Sequence, residues 1–536
     1  MKKYSLFLKL ILLCTLLGNS AQAQISSAME FLDINQIKAG HMVHGDMWNN
    51  PATSQPSMEY PKGSEKHASY AAAIWMSGVD NTGLLHVSAQ LYRGVGVDYF
   101  PGPLDASGAT TSTTITNWGK IWKVNYADIK TFLALTSKTT TTIPKVILEW
   151  PAKGNIYAKG NAGVALTISS DMAPFIDTDG DGIYDATKGD YPKMKGDQML
   201  WWVFNDNGTQ HTGSKGLPLK VEYHAMAYAY ARGTAADRML FYEFKMFNKS
   251  TEKYNGFRYA LFSDADLGNS SDDYIAFDST HRMAIEYNAV IPDGPNGKNS
   301  YGSHPPLTGL SFIEMPGDNY PAAMLPAGSF NYFERGFSGP LADPIVDTQF
   351  NNVMHTKGSL GNAMPFEGLY AYPITKGAVM CDSSFPYRDQ RYVITSNDYA
   401  FQPGTTAKIA MAFLVTDTNG NACGAINFKE LTDLADTAWK IYYNPLPLKT
   451  TELLIAKNKL SLYPNPAQTI LYISTGKNTT ANESLRVIDA LGKIIQVPIV
   501  KNADKFEVNI NNLAAGVYSV LYYDGEQTSA TSFVKN

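Results

Sequence analysis

Two apolar, aromatic runs, VEYHAMAYAYA (221–231) and MLFYEFKMF (239–247), stand on either side of the polar stretch RGTAADR. Both are of strand length, and the turn-forming residues between them predict an antiparallel hairpin. The pattern recurs earlier. AAIWMSG (72–78) leads through DNTG (80–83) into LLHVSAQLY (84–92), where Leu85, Val87, Ala89 and Leu91 fall on one face because successive strand residues alternate. FRYALF (257–262) and AKIAMAFLV (407–415) read as further core strands. The chain holds 32 Tyr, 24 Phe and 8 Trp, with turn dipeptides at intervals of about ten residues, which favours an all-β build. Each such strand must bury an apolar face against a second layer. The expectation is therefore a mainly β, multi-domain β-sandwich body with few helices.

Two helices are expected. One starts at an Asn125 cap and runs to Thr136. In the other, 427–443, Asn427 and Glu430 resemble a capping box, and Leu431, Leu434, Ala435, Ala438, Trp439 and Tyr442 share one stripe that faces the core. The turn-rich segments 292–307 and 326–344 read as long ordered surface loops. Their aromatics Tyr301, Phe330, Tyr332 and Phe333 are candidate glycan or protein contacts. Trp201 and Trp202 are adjacent in a strand and point to opposite faces, so they cannot form one flat platform. One of them is expected in the core.

The first 23 residues read as a secretory signal: Lys2 and Lys3, an apolar stretch at Leu6–Gly18, and a small-x-small cleavage site at Ala21–Ala23. The formal charge is −5, more negative by three once Lys2, Lys3 and Lys9 leave with the leader. Basic residues are not clustered, so nucleic acid is not an expected partner. Beyond the leader's Cys14, only Cys381 and Cys423 remain, a candidate disulfide in an oxidising compartment. No later segment is long and apolar enough to span a membrane. The expected division is a signal at 1–23, an N-terminal β region at 24–170, a connector at 171–192, a central β-sandwich domain at 193–445, a linker at 446–458 and a C-terminal module at 459–536.

The connector contains FIDTDGDGIYDATKGDYP (175–192), with five aspartates and three glycines. Asp177, Asp179 and Asp181 occupy positions 1, 3 and 5 of a calcium loop. Gly182 stands at the sharp turn, the Ile183 carbonyl at position 7 and Asp185 at position 9. Hard cations need several converging oxygens, which alternate residues of a tight loop supply. Position 12 carries Lys188 in place of glutamate, and Asp190 is the candidate closing ligand. The loop resembles the looser calcium loops of thrombospondin-type and dockerin-type repeats. A structural calcium ion is the expected cofactor. SDADLGNSSDDYIAFD (263–278) holds Asp264, Asp266, Asp272, Asp273 and Asp278, read either as a second calcium site or as a polar strand end. His41 and His44 with Asp46 read as surface or core histidines. HExxH, G-x-S-x-G, P-loop and Rossmann glycine patterns do not occur. The chain therefore leans away from an enzyme, although glycosidases carry no short signature.

From Lys459 the composition shifts to six or seven short strands, which predict a small Ig-like β-sandwich. Tyr463-Pro464-Asn465-Pro466, Val487-Ile488-Asp489 with Gly492-Lys493, Leu513 with Gly516-Val517-Tyr518, and Phe533-Val534-Lys535 together resemble the type A C-terminal sorting domain of Bacteroidetes type IX secretion. The resemblance implies passage across the outer membrane, type IX machinery as partner, and release or attachment at the cell surface. Segments 72–104, 177–206, 262–278 and 301–312 resemble large secreted Bacteroidetes proteins of unassigned function, and import no activity. The resulting expectation is a secreted or surface calcium-stabilised β protein with a binding, adhesive or structural role, its partner a glycan or surface polymer. The alternative is a secreted hydrolase of polysaccharide or peptide.

Overall fold

The computed structural model describes residues 28–92, 96–294, 299–319, 325, 327–334, 336, 338–355, 357, 359–361, 389–417, 427–447, 460–474, 484–489, 494–502, 505–523 and 528–536. The leader, Cys381, Cys423, Gly492 and most of the expected linker lie outside these residues. The chain divides into two compact units, Met1–Leu446 and Pro447–Asn536.

The first unit is built on two large antiparallel sheets. The nine-stranded sheet runs Trp122–Asn125, Gln198–Asn205, Val221–Ala229, Met239–Asn248, Thr406–Val415, Thr308–Glu314, Met283–Asn288 and Asp273–Asp278, with Phe100–Pro101 added beside Gln198–Asn205. The expected hairpin forms, Tyr228 opposite Phe241 and Val221 opposite Asn248. The six-stranded sheet runs Ser329–Glu334, Gln390–Thr395, Tyr254–Asp264, Ala71–Val79 and Leu85–Ser88, with Tyr399–Phe401 pairing to part of Tyr254–Asp264. Here the DNTG hairpin forms too. The Asp80 carboxylate accepts from the N–H groups of Thr82 at 2.8 Å and Leu84 at 3.0 Å and so closes the turn.

The two sheets pack face to face, and strand alternation decides what each face buries. Along Tyr254–Asp264, Tyr259 and Leu261 point into the main core with Phe312 and Met411 of the facing sheet. Ala260 and Phe262 point the other way, into a second core with Trp75, Phe333 and Val393, capped by Phe350, Val353 and Met354 of the Asp347–Met354 helix. Val87 and Ala89 are buried in that second core, with Leu85 and Leu91 packed against it, as the alternation predicts.

Several expectations are corrected by this layering. The 24–170 and 193–445 regions do not form separate β parts: Ala71–Val79 pairs along Tyr254–Asp264, and Trp122–Asn125 pairs with Gln198–Asn205. Ser329–Glu334 is a sheet strand and not a surface loop, with Tyr332 and Phe333 buried. Tyr301 is buried as well, its hydroxyl donating to the Tyr60 carbonyl at 2.7 Å. Both Trp201 and Trp202 are buried, because both faces of their strand are covered. Trp201 meets Trp122 and Trp150 on one side, and Trp202 meets His41 on the other. At the Lys429–Tyr443 helix the predicted stripe is buried apart from half-buried Trp439, but no capping box forms. The Asn427 side chain accepts from Lys429 N at 2.9 Å, and Glu430 is drawn into an ion pair with Arg238. At the Tyr126–Leu133 helix, Asp128 accepts from the Asn125 N–H at 2.9 Å, so the expected start is sealed.

The second unit holds two four-stranded antiparallel sheets, one of Ser461–Tyr463, Ile470–Ser474, Lys505–Asn509 and Ile499–Lys501, the other of Ile494–Ile495, Ser484–Ile488, Gly516–Tyr523 and Thr528–Lys535. Leu471, Ile473, Val487, Val508, Val520 and Phe533 fill the space between them. This is the small Ig-like sandwich expected from its strand pattern.

Candidate calcium loop and acidic pocket

Two short strands, Phe175–Ile176 and Tyr191–Pro192, pair antiparallel and close the loop between them. Gly180 and Gly182 have φ of +79° and +75°, a region that side chains disfavour, which lets the chain reverse twice in four residues. Asp177 holds these turns, accepting from Gly180 N at 2.8 Å and Gly182 N at 2.9 Å. Asp190 is fully buried and accepts from Thr178 N at 2.7 Å and Asp185 N at 2.9 Å, tying the loop's end to its start. Burial, with the nearby Asp179 and Asp177 charges, raises its carboxyl above the usual range.

Carboxylate oxygens of Asp177, Asp179 and Asp190 lie within 4.8 Å of one another. The Asp181 and Asp185 carboxylates are engaged elsewhere. Asp181 pairs with Lys188 Nζ at 2.9 Å, which lowers the Asp181 carboxyl, and Asp185 accepts from Thr187 N at 2.9 Å and Thr187 Oγ1 at 2.6 Å. The Ile183 side chain is exposed beside Gly154. Lys188, the departure from the loop template, also reaches Asp179 at 3.4 Å and so supplies a positive charge beside the acidic turn. The donor set is all oxygen and fits a hard cation, whose entry would displace Lys188.

A cavity of about 870 Å³ opens elsewhere in the same unit. Tyr70 and Tyr92 stand edge to face in its wall, ring centroids 5.7 Å apart, with Asn49, Ser54, Lys215 and Ile345 around them. Gly96 and Gly213 form a close backbone crossing at the rim: a Cβ on Gly96 would lie 2.3 Å from the Gly213 Cα. Behind the rim, buried Asp98 accepts from Ala89 N at 2.9 Å and Gly213 N at 2.8 Å. The adjacent His211 places its two ring nitrogens against the carbonyl oxygens of Val87 and Asp206.

The pocket floor is charged. Arg391 Nε donates to Asp264 Oδ1 at 3.1 Å, its NH1 donates to Asp343 at 2.6 Å, and the Tyr92 hydroxyl donates to Asp264 Oδ2. Burial raises the Asp264 carboxyl to about 6 against the pull of Arg391. Asp266 and Asp389 bring carboxylate oxygens within 4.8 Å of Asp264. Two other aspartates of 263–278 hold turns nearby. Asp272 accepts from Gly294 N at 3.0 Å, and Asp278 ends a strand, accepting from Thr280 N at 2.8 Å and pairing with His281. His41 and His44 are core residues, His44 at 2.6 Å from Asp46. Tyr92, Asp343, Asp389 and Arg391 were not singled out from sequence. A charged residue beside a strand has no distinguishing spacing, and only the sheet register, Asp264 opposite Arg391, brings them together.

In the C-terminal unit Tyr463 stacks on Tyr472, the Asn465 side chain accepts from Val534 N at 2.9 Å, and Tyr518 stacks on Phe533. Pro464 and Pro466 lie in the same exposed turn, and Gly516 opens the strand that carries Tyr518. Val517, beside them in the motif, is exposed.

Residues 461–536 match the model of the secretion system C-terminal sorting domain. No curated protein matches the chain. Among solved structures, a polysaccharide lyase is similar at 9% identity with a TM-score of 0.19, over 59% of this chain and 34% of that one, a likeness too slight to carry an argument. The chain thus spans about a third of the length of that structure. The sorting match, together with the stacked and hydrogen-bonded motif residues it contains, makes the chain a type IX secretion cargo, secreted or held at the outer surface.

Proposed function

We propose that the exported body is a binding protein for a hydroxyl-rich extracellular polymer, a glycan first of all, and that calcium in the Asp177–Asp179–Asp190 loop stiffens it. The observation that carries this reading is the open cavity of about 870 Å³ with paired tyrosine edges and hydrogen-bonding groups in its wall. Tyrosine offers an apolar face and a polar tip at little entropic cost, which suits a sugar ring. Tyr70→Ala removes one edge of the wall, together with the hydroxyl's hydrogen bond to the Ser54 carbonyl at 3.1 Å. On a glycan array followed by calorimetry it should weaken the best ligand at least tenfold, and unchanged affinity defeats the reading. Calcium calorimetry checks the loop: Asp179→Asn should abolish that binding step, and an unaltered isotherm removes calcium from the loop.

A hydrolase is the second reading, favoured by the carboxylates of Asp264, Asp266 and Asp343 that line the pocket. It is the poorer fit because Arg391 pairs with both Asp264 and Asp343, which holds these carboxylates as ion-pair partners and not as proton donors. Release of reducing ends from a polymer that binds, lost in Asp264→Asn, would reverse this preference.

A further inference from the structure

The pocket floor continues inward as an acidic junction between the two sheets. Asp264 ends one strand, Asp389 stands just before its partner strand, and Asp266 follows two residues on. Their carboxylate oxygens fall within 4.8 Å of one another. Two oxygens on opposite sides of a calcium ion, each about 2.3–2.6 Å from it, are at most about 5 Å apart, so this spread is what one ion can bridge. Behind Asp266 come two more acids from the facing sheet. Asp273 is 0% exposed, and its Oδ2 accepts from Leu267 N at 2.9 Å, while Glu286 is 1% exposed, and its Oε2 accepts from Thr308 Oγ1 at 3.1 Å. The second oxygen of each, Asp273 Oδ1 and Glu286 Oε1, is buried with no hydrogen-bond donor among the described residues, and so is Gln390 Oε1 beside Asp389. The charges that act most on Asp273 are those of Glu286, Asp266 and Asp272, and those on Glu286 are Asp266 and Asp264. Against these acids stands Arg391, already shared among Asp264, Asp343 and Asp389. Shielded anionic oxygens without donors are unfavourable unless something positive lies among them.

We propose that this junction is a divalent-cation site, with Asp264, Asp266 and Asp389 as converging ligands and with Asp273 and Glu286 behind them supplying acceptor oxygens and charge. The donors are all oxygen, which selects a hard ion such as calcium over zinc or copper. The ion joins the end of Tyr254–Asp264 to the start of Gln390–Thr395 and draws in the facing Asp273–Asp278 and Met283–Asn288 strands. It is distinct from the 177–190 loop and does not depend on what the pocket binds.

The test uses the mature chain stripped with a chelator and titrated with calcium. In an Asp179→Asn background, which silences the loop, one calcium equivalent should still bind, and adding Asp389→Asn should weaken it at least tenfold. Full loss of calcium binding in Asp179→Asn alone, or an unchanged isotherm after Asp389→Asn, overturns the site. Manganese-soaked crystals of the unsubstituted chain give a readout that needs no variant. An anomalous peak in bonding contact with Asp264, Asp266 and Asp389 is expected, and a manganese-free junction means that shared protons, not a cation, neutralise these acids.

Discussion

Trp75 is the side chain on which the pocket's back wall rests, and replacing it tests the layered reading of the fold directly. It is 0% exposed, stacked on Phe262 at 5.2 Å and 8°, and met edge-on by Phe350 at 4.8 Å, with its Nε1 donating to the Gln90 carbonyl at 2.8 Å. An aromatic of this size buries roughly 150–250 Å², about 4–6 kcal/mol at ~25 cal/mol per Å². Measured truncations of buried Phe or Trp cost about 3–5 kcal/mol, since the transfer loss and the cavity are partly relieved by relaxation. Losing the hydrogen bond leaves the buried Gln90 carbonyl without its donor, about 1–3 kcal/mol more. Trp75→Ala should therefore destabilise the body by about 4–8 kcal/mol. Trp75→Phe, which keeps the stack and loses mainly the hydrogen bond, should cost about 1–3 kcal/mol. Urea denaturation followed by near-ultraviolet circular dichroism gives both from the midpoint shifts at a common slope. Phe350 and Leu91 lean on this core and also line the pocket, so Trp75→Ala should weaken ligand binding as well. A loss below 1 kcal/mol in Trp75→Ala, or equal losses in the two variants, would refute the claim that the six-stranded sheet is buried on both faces around this ring.

Three further outcomes are expected. Burial pulls the His281 imidazole down, but the Asp278 and Asp436 carboxylates outweigh it and hold it above its usual value. Its stabilisation is then full below about pH 6.5 and is lost as pH rises through the raised folded-state value, so the melting temperature should fall from pH 6 to 8, and His281→Gln should flatten that slope. Asp206, fully buried, accepts from Ser88 Oγ at 2.6 Å, Leu219 N at 2.6 Å and Val221 N at 2.7 Å. Asp206→Asn turns an amide N–H toward one of these donors and should cost about 1–3 kcal/mol by chemical denaturation, whereas a neutral result would mean that the three strand-end contacts are not made together. Deleting residues 461–536 should leave the body folded in the periplasm and absent from the medium and the surface, as cell fractionation would read; external protein after the deletion would remove the sorting role.

How much was legible beforehand differs by element. The hairpins at DNTG and RGTAADR, the Leu85–Leu91 alternation and the buried stripe of the Lys429–Tyr443 helix were readable because each is a local periodicity with turn chemistry at its end. The loop of 177–190 was readable as an acidic turn for the same reason, but which carboxylates converge was not. Asp181 and Asp185 had the right spacing and were diverted by Lys188 and Thr187, while Asp190 was brought in by strand pairing across the loop. Trp201 and Trp202 were misjudged because alternation says that two residues face apart, and says nothing about whether each face is covered.

By itself the sequence determined the strand-rich build, the acidic loop and the sorting tail, each written in contiguous residues whose period or motif acts over a few neighbours. Tertiary structure alone decided the single interleaved body, with Ala71–Val79 lying along Tyr254–Asp264, and the acidic junction. Asp264 and Asp389 are 125 residues apart in the chain and are brought together by one sheet register. Such a meeting follows from which strands pair and which faces pack, a choice made by the burial free energy of the whole core and not by any local stretch of residues.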